Sequence, residues 1–413
     1  MNFSILTLGC KVNQSESNSI GSDLINSGHK LIPLSRSTDV CIINTCTVTA
    51  KSDYQSRQYI RRALSNGSKV LVTGCYSELN LKDIKKISPE IEIINNKNKI
   101  FDIKELCGIR EYNTLGYNTG RSRAFVKIQD GCDFGCTYCA VRLARGKSIS
   151  VDKDIISDEI NRIYNSGVNE VVLTGIHIGL YGKDLGHDEN LNNLLKFLLI
   201  NTGIPRIRLS SLEVNEIDDE FLDTIADNRI CRHLHIPLQS GDDNILKSMA
   251  RRYTTREYHK KLAMIFNKYP DISIGSDIIV GFPGEDKKEF DNTLNFVKDE
   301  DFSYLHIFPY SMRNHTPAAA LPGHAGPGVK RDRVNILREI SKEKKKLYMN
   351  KFAGRTLDVI IESKIDDSFY TSTSGNYLKV HVKATDVGHG TLISVNVTGL
   401  SEGYLAGIPI VSS

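Results

Sequence analysis

The stretch GCDFGCTYC, residues 131 to 139, constrains this chain most, because it sets Cys132, Cys136 and Cys139 in a Cys-x3-Cys-x2-Cys array. It directly follows an apolar, strand-like run over 124–128. So short a loop lets all three sulfurs point at one centre, and the fold must therefore bring a strand end to an open inorganic site. Iron–sulfur clusters are normally held by four thiolates, so three leave one iron free for a small ligand. Structural zinc sites come as paired Cys-x2-Cys or Cys/His sets with four ligands. No second pair follows here within zinc-finger distance. Free cysteine is also a common core residue, but spacing this tight is rarely accidental.

Upstream, residues 1–118 read as alternating strands and helices. Strand candidates are 3–8, 40–43, 70–73 and 91–94, with helix-like segments over 13–28 and 47–64. Such alternation predicts a parallel sheet. Cys10, Cys46 and Cys75 each fall just past the carboxyl end of a strand, in LGC, NTC and TGC. Those ends share one edge of an open parallel sheet, the edge where such folds bind ligands. Three thiols far apart in sequence are thus expected to converge as a second metal site. Cys41 sits inside its strand, and Cys107 and Cys231 have no partner at ligand spacing; these are expected to be structural.

Between 119 and about 345 a strand–helix unit repeats, with strand candidates 124–128, 170–174, 206–210, 233–238, 272–280 and 304–309. Six such units predict a partial or complete (β/α) barrel, whose chemistry sits at the carboxyl ends of its strands. The cysteine loop falls at one such end. Others carry Thr174-Gly175, Ser211 with Glu213, Gln239-Ser240-Gly241 and GFPGE at 281–285. Gly-rich turns are ordinary turn chemistry one by one; their shared face suits a pocket for a polar, adenosine-bearing cofactor.

A Pro/Gly-rich boundary follows, then a charged helix over 329–352 with Lys342, Lys344, Lys345, Lys346 and Lys351, which reads first as a solvated face. From about 355 the pattern changes to short alternating strands at 357–362, 377–382 and 392–397. This predicts a small β-barrel of a kind used to hold RNA, with Tyr370, Tyr377, Lys379, His381 and Lys383 as candidate contacts.

Composition sets outer bounds. With 413 residues, 40% hydrophobic and 25% charged, the chain is an ordinary globular protein of several domains. It has no apolar run long enough for a membrane span and no evident signal peptide. Nine clustered cysteines favour metal ligation in a reducing cytoplasm over a disulfide framework. A net charge of +4 permits nucleic-acid binding without arguing for it.

Taken together, the motifs LGCKVNQSES, NTCTVTAKSDYQSRQYIRRA, VTGCY, GCDFGCTYC, HIPLQSGDDNILKSMARRYT, DIIVGFPGE and FPYSMRNHTPAA make the chain resemble the methylthiotransferase family of radical S-adenosylmethionine (SAM) enzymes. The first two look most like the subgroup acting on threonylcarbamoyladenosine in tRNA. Sister subgroups act on isopentenyladenosine in tRNA or on an aspartate of a ribosomal protein. The resemblance implies an α/β chain in three parts. These are an N-terminal open parallel-sheet domain (1–118), a radical SAM partial TIM barrel of the (β/α)6 type (119–348) and a small RNA-binding β-barrel called TRAM (349–413). It implies two 4Fe–4S clusters, the SAM-binding one on Cys132, Cys136 and Cys139 and an auxiliary one on Cys10, Cys46 and Cys75. Tyr138, Gly175, Glu213, Gln239 and Ser240 are then expected at the SAM pocket. No catalytic side chain is implied, because carbon 2 of an adenine carries an unactivated C–H bond that acid–base groups cannot attack; the cofactor brings the reactivity. Expected partners are the tRNA anticodon loop and a reducing donor such as flavodoxin or ferredoxin, with the enzyme a cytoplasmic monomer. Departures from the family pattern are Asn314-His315, Ala250 and the loosely matching YTSTSGNYLKV.

Overall fold

The structure, a computed structural model, describes residues 1–109, 122–186, 189–401 and 403–410. Its first part is a five-stranded, wholly parallel sheet. In spatial order the strands are Lys30–Leu31, Asn2–Thr7, Val40–Thr45, Lys69–Gly74 and Glu92–Ile93. The central strand Val40–Thr45 is buried along its whole length, as expected of a strand covered on both faces by helices. Helix Ala50–Ser65 starts at Thr49, whose side chain accepts from the Ser52 amide while Ser52 returns a bond to the Thr49 backbone, a capping box. The expected boundary at 118/119 lies outside the described residues.

Six parallel strands then form the second part: Ala124–Lys127, Glu170–Thr174, Arg206–Leu209, His233–His235, Ser273–Val280 and Tyr304–Pro309. Each neighbours the next in chain order, and the bridges Ile207–Ile230 and Ser211–His235 join the two three-stranded halves. The result is the expected open partial barrel. Ile207, Leu209 and Leu234 join the helix residues Ile156, Ile160 and Leu194 in one outer core. Period-two alternation turns Arg206, Arg208, His233 and His235 to the lumen. Helix Lys11–Asn26 of the first part packs along strand Ala124–Lys127 and so covers the barrel's open side.

Helix Pro327–Asn350 leads into a closed five-stranded barrel in the order Thr356–Lys364, Phe369–Ser374, Lys379–Lys383, Tyr404–Pro409, Leu392–Ser401. Two of these strands, Phe369–Ser374 and Tyr404–Pro409, were not expected from the sequence. Tyr377 is not in a strand but in the turn after Ser374, at φ 66°. This small barrel docks under the larger one. Arg208 donates to the Gly375 and Ser374 carbonyls at 3.0 Å each, and Arg123 pairs with Glu362 at 2.6 Å.

Candidate active site between two cysteine triads

The strand-to-loop geometry explains how each cysteine is presented. Gly131 sits at φ 70°, and a Cβ there would lie 1.9 Å from the Lys147 carbonyl oxygen; only glycine lets the loop turn off strand 124–127 into Cys132. The loop is then held by the Cys132 amide on the Gly146 carbonyl (3.1 Å), the Thr137 amide on Met249 (3.1 Å) and the Ala318 amide on Thr137 (2.9 Å). In the first sheet, Gly74 at φ 100° passes so close to the Thr45 backbone that a Cβ would lie 2.3 Å from its oxygen. That turn places Cys75 at the start of helix Cys75–Leu79. Cys10 precedes helix Lys11–Asn26, and Cys46 follows its strand so closely that a Cβ on Gly9 would strike its side chain at 2.7 Å.

Both triads are therefore brought together, each at one loop edge. The charges of Cys10 and Cys46 act on Cys75, and those of Cys132 and Cys136 on Cys139. No cysteine is in a disulfide. Burial raises the Cys46 and Cys75 thiols above their ordinary range and pushes Cys139 up to about 11, so as free thiols they stay protonated. Thiolates here need positive charge or metal beside them. Hydrogen-bond donors are already in place. The Phe134 amide reaches the Cys132 sulfur at 3.4 Å, Arg251 Nη1 reaches Cys136 at 3.5 Å and Arg145 Nε reaches Cys75 at 3.3 Å. Donors to sulfur and open faces on three-thiolate sets are the surroundings that iron–sulfur clusters use, so both sets fit the expected clusters. Cys41, Cys107 and Cys231 are buried in packing positions.

Arg145 links the triads. It ends the short helix Val141–Arg145, just after Cys139. Besides Cys75, it donates to Asp130 (2.8 Å), Glu16 (2.9 Å) and Asn13 Oδ1 (2.6 Å). Lys99 and Lys127 also pair with Glu16, at 2.5 and 3.1 Å. Sequence reasoning missed Arg145, Arg251, Asn13 and His177. His177 Nδ1 lies 3.6 Å from the Cys132 sulfur and its Nε2 lies 2.5 Å from Glu216. Although burial opposes protonation, the Cys132 and Glu216 contacts push His177 up to about 9. The only signal for Arg145 was its place six residues after Cys139.

Beside Cys139 and the segment that follows Cys46 lies a cavity of about 220 Å³, lined by Thr47, Tyr138, Cys139, Gln239, Asp277 and Phe308 among others. Of the expected pocket residues, Tyr138 and Gln239 line it, and Gln239 holds a left-handed φ of 71°. Gly175 packs against Gln129, where a Cβ would come within 2.8 Å. Glu213 pairs with Arg251. Ser240 is buried with its hydroxyl 3.2 Å from Thr293 Oγ1, and it accepts from the Asp242 amide. Asp277 hydrogen-bonds to His306 Nδ1 at 3.2 Å and lies 3.1 Å from His235 Nε2; the two imidazoles hold its carboxyl well below the ordinary range against the effect of burial.

In the C-terminal barrel Tyr370 is buried in the core, and the Tyr377 ring is tilted against His233 at 4.5 Å and lies under Arg208. The Tyr370 ring is used in packing, whereas Tyr377 leans on His233 and is still exposed. Lys379 pairs with Glu362, and His381 stacks on Tyr404.

Residues 126–297 match the model of the Radical SAM superfamily, and residues 2–95 match Uncharacterized protein family UPF0004. The chain is 36% identical to the threonylcarbamoyladenosine tRNA methylthiotransferase MtaB of Bacillus subtilis, over 96% of this chain and 93% of that protein. It is 36% identical to the protein of the same name from Aquifex aeolicus, over 87% of this chain and 93% of that one. Among solved structures it is similar in fold to the radical S-adenosylmethionine methyltransferase TsrM of Kitasatospora setae. The TM-score is 0.58 at 14% identity, covering 77% of this chain and 75% of that one. The chain belongs to the threonylcarbamoyladenosine tRNA methylthiotransferase family, within the radical SAM superfamily.

Proposed function

We propose that this chain replaces the hydrogen on carbon 2 of N6-threonylcarbamoyladenosine, beside the tRNA anticodon, with a methylthio group. The observation that carries this reading is the cavity that Cys139 lines from one side and Thr47–Thr49, the segment directly after Cys46, from the other. Cys132, Cys136 and Cys139 would hold the SAM-binding 4Fe–4S cluster, and Cys10, Cys46 and Cys75 the auxiliary one. When bound, these groups with SAM supply the radical chemistry and the sulfur that no side chain here can provide. The chain's own residues position and shield. Arg251 and Arg145 donate to cluster sulfurs, while Tyr138, Ile279, Phe308 and Tyr310 give the cavity mostly apolar walls that exclude water from a reactive intermediate. Gln239 and Asp277, with Thr47, Thr49 and Ser311, are the polar groups of the lining available to orient a base. Gly175, Glu213 and Ser240 act from behind, by packing, by fixing Arg251 and by fixing the loop after Gln239.

The working division is 1–118 for the auxiliary-cluster domain, 119–348 for the radical SAM domain and 349–413 for a TRAM module that holds tRNA. No described helix is long and apolar enough to cross a membrane. We take the enzyme to be a cytoplasmic monomer reduced by flavodoxin or ferredoxin. The test is nucleoside mass spectrometry of tRNA from a host lacking adenosine methylthiolation, with and without this chain. Appearance of the 2-methylthio derivative of threonylcarbamoyladenosine is expected; 2-methylthio-isopentenyladenosine instead would move the substrate. A Cys136→Ala variant should bind tRNA yet form no 5′-deoxyadenosine from SAM, and normal deoxyadenosine production would remove Cys136 from the cluster.

A further inference from the structure

Charge inside the partial barrel is unevenly matched. Glu170 takes Arg206 at 2.8 Å and Arg208 at 2.7 Å, and Arg123 takes Glu362. Asp277 is shared by His235 and His306. Lys11 is different: its ammonium group makes no hydrogen bond or ion pair with any described residue. Its helix covers the open side of the barrel. Its charge acts on Arg208, Arg123 and Glu170 and reaches His233 in the lumen. On the lumen-facing side of the same strands, two residues on from Arg208 and at the start of strand His233–His235, Ser210 Oγ and His233 Nδ1 are buried polar atoms without partners among the described residues. An unpaired cation among like charges and orphaned polar atoms is costly unless a ligand completes it.

We propose that Lys11 is the counter-ion for the carboxylate of the substrate's threonylcarbamoyl group, and so a specificity-determining residue. The inference rests on the substrate reading above. That substituent joins threonine through its nitrogen to a carbonyl, which leaves a free carboxylate, a hydroxyl and one carbonyl oxygen. The lumen offers a cation and neutral polar atoms that match this set. A hydrocarbon substituent at the same nitrogen would leave Lys11 and Ser210 unpaired, which is rejection by unmet polar groups.

The experiment measures binding, without turnover, of iron-loaded enzyme to two anticodon stem–loop RNAs. One carries threonylcarbamoyladenosine and the other its primary amide in place of the carboxylate. Wild type is expected to prefer the acid by roughly thirtyfold or more, the cost of stranding one member of a buried charge pair. Lys11→Met should erase that preference while binding the amide as wild type does and keeping full iron content; Lys11→Arg should retain it. The proposal is overturned if Lys11→Met keeps the preference, weakens both RNAs equally or loses iron, since each assigns the residue a structural role. Wild type that forms product from the acid RNA but shows no preference also overturns it. Wild type that neither binds nor modifies the acid RNA would instead defeat the substrate reading.

Discussion

Arg145 stands where the two cysteine loops meet, and its side chain is fully buried against Glu16. Replacing it with Met would strand Glu16 and Asp130 with too few partners. Removing one member of a buried charge network costs about 3–5 kcal/mol, which a urea-denaturation midpoint would read. The same network sets an acid limit. Burial works against ionisation of Glu16, but Lys99, Arg145 and Lys127 hold its carboxyl well below the ordinary range. Its contribution is therefore complete above the unfolded-chain value of about 4.3 and is lost as pH falls through the depressed folded value. Glu159 behaves in the opposite sense. Burial pushes it up to about 7, so stability falls as pH rises from about 4.3 to 7. Glu159→Gln should raise the denaturation midpoint at pH 8, by on the order of 1 kcal/mol, and leave it unchanged at pH 4. None of these three roles was legible in the sequence. A lone Arg or Glu among charged neighbours reads as surface until the fold buries it.

Elements with strong patterns were read almost to the residue. The strands expected at 170–174 and 304–309 are Glu170–Thr174 and Tyr304–Pro309. The missed strands explain themselves physically. Phe369–Ser374 is rich in Ser and Thr, which locally favour turns. It becomes a strand because it pairs on both sides, with Thr356–Lys364 and with Lys379–Lys383. Tyr404–Pro409 contains a glycine and a proline, and Lys30–Leu31 is too short to show alternation. The charged helix has structural as well as solvated positions. Lys344 donates to the Lys298 and Glu300 carbonyls at 2.9 and 2.6 Å, near the end of helix Lys287–Asp299. At its own end Tyr348 and Met349 enter the core of the small barrel. Met349→Ala should cost about 2–5 kcal/mol, measured as a lowered thermal midpoint.

Two polar seams join the parts of the molecule, beside the packing of helix Lys11–Asn26 on strand Ala124–Lys127. One joins the first sheet to the barrel mouth, where Arg313 pairs with Asp53 at 2.5 Å and the Ala50 amide reaches Ser311 Oγ at 3.0 Å. The other joins the two barrels through Glu170, Arg206 and Arg208. Burial opposes ionisation of Glu170, but Arg208 and Arg206 hold its carboxyl down at about 2. Glu170→Ala would leave two guanidinium groups facing the docked barrel without a counter-charge. A loss of about 3–5 kcal/mol is expected, with limited proteolysis cutting first in the connection after Asn350; an unchanged cleavage pattern would show that the seam does not depend on this charge.

By itself the sequence determined the cysteine sets, the alternation of strands and helices, and hence an open sheet followed by a partial barrel. Those are local properties, written in spacing and hydrophobic period. Tertiary structure alone decided that Cys139 and the segment after Cys46 line one cavity and that Arg145, six residues after Cys139, reaches Cys75. It also decided that Tyr370 is used in packing and that Lys11 is left unpaired facing the barrel lumen. These depend on which distant residues meet at burial, and a buried charge acquires its partner, or lacks one, only when the fold has closed around it.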